Sequence, residues 1–206
     1  MLPGFDIPII SGAVAPPAPS FVGVGSFVST TGAATWPSGT VAGDYALIVA
    51  TGNSAVSATG FSTIGSDYAF GAHTASLRGK ILTSGDISSP PTVTIPAAGG
   101  YYIVTFRNVA TAAQKATANS TSSPVTCTGF TKAGSSAFVL AVGADRDPVA
   151  PAYVTSWTGI AAGTITYFGM ALSYVPSSSY ANGTNVNVPL SAGGSIGAGE
   201  LVEITT

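Results

Sequence analysis

Hydrophobic and polar residues alternate along most of the chain, and this period of two predicts β-strands rather than helices. One long stretch places its large hydrophobic side chains on one face: Phe168, Met170, Leu172 and Tyr174. Two denser runs, YALIVATG from Tyr45 and YYIVTFRNV from Tyr101, are typical of central strands that are covered on both faces. Turn-forming residues interrupt the runs about every 8–15 residues, a spacing typical of a β-sandwich or barrel.

The two halves of the chain repeat one order of elements at an offset of about 90–100 residues. In the first half, DYALIVATGN is followed by GFSTIGS, ASLRGKILTSGD and PPTVTIPAAGGYYIVTFRNV. In the second, SAFVLAVGADRD is followed by TSWTGIA, ITYFGMALSYVPS and NVNVPLSAGGSIGAGELVEITT. Two sets of about four strands predict an all-β fold, a jelly-roll β-sandwich of about eight strands. The alternative is two small β domains in tandem, which we disfavour because neither half would bury much core alone.

The segment that joins the halves, ATAAQKATANSTSSP from Ala110, is rich in Ser, Thr and Ala and is predicted to be an exposed loop. Residues 110–118 within it are the only helix candidate, and they lack a good cap and contain several Thr residues. The predicted core consists of the large hydrophobic residues of the strand-like runs: Leu47, Val49, Ile64, Leu77, Ile81, Val93, Ile95, Ile103, Phe106, Phe138, Leu140, Val142, Trp157, Phe168, Met170, Leu172, Val188, Leu201 and Ile204.

Residues 1–20 differ from the rest and predict an extended N-terminal arm, ahead of a sandwich that spans residues 21–206. The arm carries five large hydrophobic side chains in a setting kept extended by prolines: Leu2, Phe5, Ile7, Ile9 and Ile10. The following GAVAPPAPS is typical of a semi-rigid polyproline spacer. A frayed terminus is the alternative. We favour an anchor peptide that docks on another chain, because five such side chains in a free tail would lower solubility.

The composition of the chain excludes several classes of binding partner. Only 7% of the 206 residues are charged and the net charge is −2, whereas about 25% charged residues is usual for soluble domains. Six scattered basic residues cannot neutralise the roughly six to ten phosphates that a duplex binder contacts, so we expect no nucleic-acid partner. We also expect no membrane partner, because no run of about 18 hydrophobic residues is free of Gly and Pro. A weakly charged, hydrophobic chain is typical of a subunit that neighbours partly cover in a large assembly.

Few residues could carry a reaction. His73, the single histidine, lies in the loop-like GAHTA and is predicted to be solvated rather than catalytic. Cys127, the single cysteine, is predicted to be a buried, inert thiol, and one His with one Cys excludes a usual zinc site. Asp145 and Asp147 could contact Ca²⁺, but they supply few oxygen ligands and are typical of a turn. We therefore expect a non-enzymatic protein without catalytic, cofactor or metal sites.

Stacking of a sugar on an exposed aromatic side chain is the remaining candidate chemistry. Trp36, beside Pro37, could lie in the core or at the surface, and it is the first candidate for glycan binding. Other aromatic candidates lie near loops: Tyr68, Phe70, Tyr153 and Tyr180. Trp157 occupies the position that Phe61 has in the first half, which favours a place in the core.

The run TWPSGTVAGDYALIVATGN, followed by GFSTIGS and a long strand, resembles a pattern found in small virion proteins of tailed phages. The N-terminal LPGFDIPII with its Pro/Ala spacer is similar to their anchor peptides. This resemblance implies a jelly-roll capsid decoration, cement or head-spike protein on the virion, without catalytic residues. It implies the major capsid protein or other virion proteins as partners, and a homo-oligomer that is often a trimer. A tail or spike component that binds a carbohydrate or receptor is the alternative.

Overall fold

Antiparallel β-strands form most of the regular structure in the computed structural model, which describes residues 16–96, 98–165, 167–191 and 196–206. The strands of the first half are β1 Ser20–Val24, β2 Gly32–Ala33, β3 Tyr45–Gly52, β4 Ser57–Ala58, β5 Ser62–Thr63, β6 Tyr68–Phe70, β7 His73–Ile81, β8 Thr92–Thr94 and β9 Gly100–Arg107. Those of the second half are β10 Thr111–Ser120, β11 Val125–Cys127, β12 Ser136–Asp145, β13 Thr158–Ile165, β14 Phe168–Pro176, β15 Val186–Val188 and β16 Gly197–Thr205. The predicted all-β class is confirmed.

Helical structure in the described part of the chain is limited to α1 (Ser84–Ser88) and a 3₁₀ turn at Ser177–Ser179. Thr83 caps α1, because its side chain accepts the backbone N–H of Asp86 while the Asp86 carboxylate accepts the backbone N–H of Thr83. No helix among the described residues has the length and apolar character needed to cross a membrane.

Each half of the chain builds one large and one small antiparallel sheet. The large sheet of the first half has the order β1-β9-β3-β7-β5, with β6 also paired to β7, and the small sheet has the order β2-β8-β4. The second half has the orders β10-β16-β12-β14-β13 and β11-β15. The sequence repeat is therefore also a repeat of strand order. The expected count of about eight strands is not confirmed, and the paired strands of each described sheet all come from one half.

The two large sheets face each other and bury one hydrophobic layer between them, which we call the shared core. Leu47 and Val104 of the first half meet Leu140 and Met170 of the second half in this layer. Each small sheet covers the outer face of its own large sheet and forms an outer core, of which Ile48 is a member in the first half. Strands β3, β9 and β12 are hydrophobic on both faces because both faces are covered.

The predicted loop between the halves is wrong, and so is the helix candidate at 110–118. Thr111–Ser120 form β10, which pairs with β16 along its length at the edge of the second large sheet. The register shifts between Gln114 and Ala116, so Lys115 forms a bulge. The sequence hides this strand because an edge strand buries little, and small Ala and Thr side chains suffice to cover its inner face.

The predicted core residues are buried with three exceptions. Ile95 and Trp157 are half-buried and pack against the outer cores. Ile81 is 49% exposed, so its assignment to the core is wrong. It is the last residue of β7 and lies at the edge of the sheet face that forms the shared core. There it lines an open cleft together with Tyr45 and Thr111.

Candidate functional site

The predicted anchor residues Leu2, Phe5, Ile7, Ile9 and Ile10 lie outside the described residues. The described part of the spacer, residues 16–19, lies beside the turn that connects the two halves. Asn108 in this turn donates its side-chain N–H to the carbonyl of Ala18 over 2.9 Å, and it has a left-handed backbone with φ of 56°. The prolines of the spacer line an open cleft of about 470 Å³ with Asn108 and Thr206.

Trp36 is half-buried and packs against the outer core of the first half. Its indole N–H donates to the carbonyl of Asp86 over 3.0 Å. One edge of the ring is therefore fixed to α1, and glycan binding by Trp36 stays a prediction.

Trp157 lines an open cleft of about 350 Å³ on the second half, which we call the Trp157 cleft. Its walls come from segments 154–157, 179–181 and 184–187. The backbone N–H of Trp157 donates to the carbonyl of Val154 over 3.1 Å, and Ser156 has a φ of 70°, so a tight turn sets the position of the ring. Sequence reasoning placed Trp157 in the core and missed this cleft, although the nearby NVNVP was a visible signal of exposed polar side chains on a strand.

Two asparagines form a polar rim of the Trp157 cleft. The side-chain carbonyl of Asn185 accepts the backbone N–H of Gly129 over 2.9 Å, and that of Asn187 accepts the hydroxyl of Thr126 over 2.8 Å. Both asparagines are exposed and lie two residues apart on an extended chain, so their side chains lie on the same face. These bonds fix the carbonyl end of each amide and leave its NH₂ group as a donor.

Tyr180 forms a rigid part of the same cleft. Its hydroxyl accepts the backbone N–H of Phe130 over 3.0 Å and donates to the carbonyl of Thr184 over 3.1 Å. Its ring stacks on Phe130 with centroids 4.9 Å apart. The residues that line the Trp157 cleft in the described chain include no Asp, Glu, Lys, Arg or His.

His73 is not a solvated loop residue, and that prediction is wrong. It begins β7 after the tight turn at Gly71 and is 9% exposed. Its ring meets Phe168 edge-on at 4.9 Å, and its Nδ1 is hydrogen-bonded to Asn53 Oδ1 over 3.0 Å. Burial, followed by the nearby charge of Arg146, lowers the pKa of His73.

Asp145 is a buried structural carboxylate. One oxygen accepts both the backbone N–H and the hydroxyl of Ser191, over 2.8 and 2.6 Å. Burial raises its pKa, and the charge of Asp147 acts in the same direction. The described residues hold no cluster of three or more His, Cys, Asp or Glu side chains that could bind a metal ion.

Cys127 is fully buried, as predicted. Burial, with a smaller effect of the Glu200 charge, raises the pKa of the thiol to about 12. A thiol that stays protonated is a poor nucleophile, which agrees with the predicted inert cysteine.

Two buried glutamates on β16 escaped the sequence analysis, although GELVEIT shows them inside a strand. Glu200 is 1% exposed, and burial raises its pKa to about 8 against the weaker effect of the bond that Gln114 donates over 3.2 Å. Burial also acts to raise the pKa of Glu203, but the ion pair with Lys115 and the bond from the backbone N–H of Ala133 outweigh it and lower the pKa.

Most basic side chains hold the architecture together. Within the described residues, four ion pairs link Arg78 to Asp67, Lys80 to Asp86, Arg107 to Asp44 and Lys115 to Glu203, at 2.5–2.8 Å. Lys132 donates to the backbone carbonyls of Ser177 and Tyr180.

In comparisons with models of protein families, with curated proteins and with solved structures, the chain matches none of them.

Proposed function

We propose that this chain is a non-enzymatic structural protein of a tailed-phage virion, a capsid decoration or cement protein that docks on the shell through its N-terminal arm. Its partner would be the major capsid protein or another virion protein, and it would act as a homo-oligomer on the capsid surface. The observation that carries the proposal is the combination of a hydrophobic arm with a spacer whose last residues are held at Asn108, in the turn between the halves.

The use of charged residues supports a structural role. Four of the six Lys and Arg residues form ion pairs in the described part of the chain, and Lys132 binds backbone carbonyls. Each of these contacts joins segments distant in sequence or closes a turn, so the charges maintain the fold. A catalytic site instead needs titratable groups in a cleft that a substrate can reach.

The strand order supports a jelly roll in each half, rather than one jelly roll across both. Along the first half, β1, β3, β5, β6, β7 and β9 belong to the large sheet, while β2, β4 and β8 belong to the small sheet. The first and last strands, β1 and β9, are neighbours. The order β1-β9-β3-β7, with a chain that crosses repeatedly between two facing sheets, is the connectivity of jelly rolls, which are common in virion proteins.

The arm is tested by deleting residues 1–19 and measuring binding to shells assembled from the major capsid protein alone. We expect the shortened chain to fold with a nearly unchanged melting temperature, because β1 begins at Ser20 and, within the described residues, the deletion removes only the exposed hydrogen bond from Asn108 to Ala18. We expect its occupancy on the shells to fall at least tenfold, because the hydrophobic contacts of the arm are lost.

A full-length variant with Phe5→Ser, Ile7→Ser and Ile9→Ser is the matched control for chain length. It keeps the spacer and the contact of Ala18 with Asn108. It should bind as weakly as the deletion. Full occupancy of either variant on the shells would contradict the proposed anchor.

A further inference from the structure

We propose that the Trp157 cleft binds a neutral saccharide. This function goes beyond the structural role proposed above and does not depend on it. The cleft volume of about 350 Å³ lies at the lower end of the range for small-ligand sites, about 300–1,000 Å³. The cleft is open, so it can accept one or two units of a longer chain that continues into solvent.

The indole of Trp157 provides the stacking surface. The ring is half-buried, packs against the outer core of the second half and borders the cleft. An aromatic ring held in this way offers a large apolar surface at a low cost in conformational entropy. The C–H face of a pyranose is the part of a sugar that packs on such a surface.

The asparagine rim supplies the directional contacts that a sugar needs. Gly129 and Thr126 occupy the carbonyl oxygens of Asn185 and Asn187, so the two NH₂ groups can donate to hydroxyl or ring oxygens of a ligand. Thr155 and Thr184 add hydroxyl groups at the cleft, which can donate or accept.

The absence of charge at the cleft selects the class of ligand. Its lining in the described residues carries no acidic or basic side chain. A phosphate, a sulfated sugar or an acidic peptide would find no cation to compensate its desolvation. A neutral saccharide can form hydrogen bonds with the amide and hydroxyl groups of the cleft, and it has no charge whose desolvation must be compensated.

The chain has two tryptophans, and this permits reciprocal single-tryptophan proteins. Trp36→Phe leaves Trp157 as the only indole, and Trp157→Phe leaves Trp36. Each protein is titrated with the neutral trisaccharides of chito-, cello-, malto- and manno-type, and indole fluorescence is recorded. The wild-type chain is also applied to an array of neutral and acidic glycans.

Asn187→Asp tests the rim without disturbing the fold. An Asp carboxylate still accepts the hydroxyl of Thr126, but it cannot donate to a sugar. Because residue 187 is exposed, the melting temperature should stay unchanged, whereas Trp157→Ala also removes packing from the outer core. Binding of Asn187→Asp to capsid shells should equal that of the wild type, which separates this site from the anchor.

We expect saturable quenching by at least one neutral trisaccharide in Trp36→Phe and none in Trp157→Phe. We expect Asn187→Asp to weaken the affinity at least tenfold and Trp157→Ala to abolish binding. The proposal is overturned if no neutral glycan binds, if only acidic glycans bind, or if Trp36→Ala abolishes binding while Trp157→Ala preserves it.

Discussion

Glu200 places a carboxyl group on the face of β16 that looks toward the first half, where neighbouring side chains are hydrophobic. Gln114 donates to it, and the other end of the same amide accepts the backbone N–H of Ser66 over 3.1 Å. Gln114 therefore links the buried acid of the second half to a loop of the first half. A buried carboxyl in such a place favours its neutral form.

The raised pKa of Glu200 makes stability fall as the pH rises. The folded chain retains the proton up to about pH 8, whereas the unfolded chain loses it near 4.5. The stabilisation is therefore complete below pH 4.5 and is lost between about 4.5 and 8, by an amount on the order of a few kcal/mol. In Glu200→Gln this dependence should be absent, and above pH 8 the variant should be the more stable protein in urea unfolding.

Glu203→Gln is the matched control on the same strand. The pKa of Glu203 is lowered, so its stabilisation is present above pH 4.5 and is lost as the pH falls below that value. This variant should lose stability relative to the wild type at neutral pH, with a difference that shrinks in acid. His73 contributes to all three proteins and cancels in the comparison. An equal pH profile for wild type and Glu200→Gln would refute the role of Glu200.

At the scale of the elements, the small sheet of the second half can pack closely on the large sheet because two glycines face it. Gly143 of β12 and Gly199 of β16 are paired neighbours on the outer face of the large sheet. A Cβ atom at Gly199 would lie 2.7 Å from Val125 Cγ1 and 3.0 Å from Cys127 Sγ. Side chains from β11 therefore fill the space that larger residues in the large sheet would occupy.

Gly143→Ala tests this close approach. The new Cβ atom would lie 2.9 Å from the carbonyl oxygen of Pro189, and a backbone atom cannot move aside as a flexible side chain can. We expect the free energy of unfolding to fall by about 1–3 kcal/mol in denaturant titrations.

Gly134→Ala is the control for this substitution. No atom lies within 4 Å of its added Cβ, so its effect should stay below about 1 kcal/mol. Equal stability of the two variants would mean that the small sheet does not pack closely enough on the large sheet to exclude a Cβ atom at Gly143.

At the scale of the whole molecule, the two halves share one core and cannot bury their inner faces separately. Phe106 of the first half packs against Phe138 of the second, with ring centroids 5.5 Å apart. Phe21 stacks on Tyr174 across the same boundary at 5.1 Å. Separation would expose this entire layer to water, so the halves should unfold together.

The single-tryptophan proteins measure this coupling, because Trp36 and Trp157 pack against the outer cores of different halves. Leu201→Ala removes buried contacts only in the outer core of the second half and should cost about 2–5 kcal/mol. We expect it to lower the unfolding midpoint reported by Trp36 as much as that reported by Trp157.

Ile48→Ala in the first half is the reciprocal substitution and should lower the midpoint reported by Trp157. If each substitution shifted only the tryptophan of its own half, the halves would be independent domains and the inferred coupling would be wrong.

The sequence by itself determined the all-β class, the repeat and most of the buried residues, because alternation and dense hydrophobic runs are local properties. Leu47 and Leu140, for example, were identified without any knowledge of their neighbours. Strand β10 was missed because small neutral residues become an edge strand only when β16 supplies hydrogen-bond partners.

Only the tertiary structure decided the pairing of strands within each half, the burial of Glu200 and the position of Trp157 beside the asparagine rim. Hydrogen bonding between distant strands and the covering of one half by the other set these features. The hydrophobic pattern of the sequence shows which side chains are stabilised by burial, but it does not show which surface covers them.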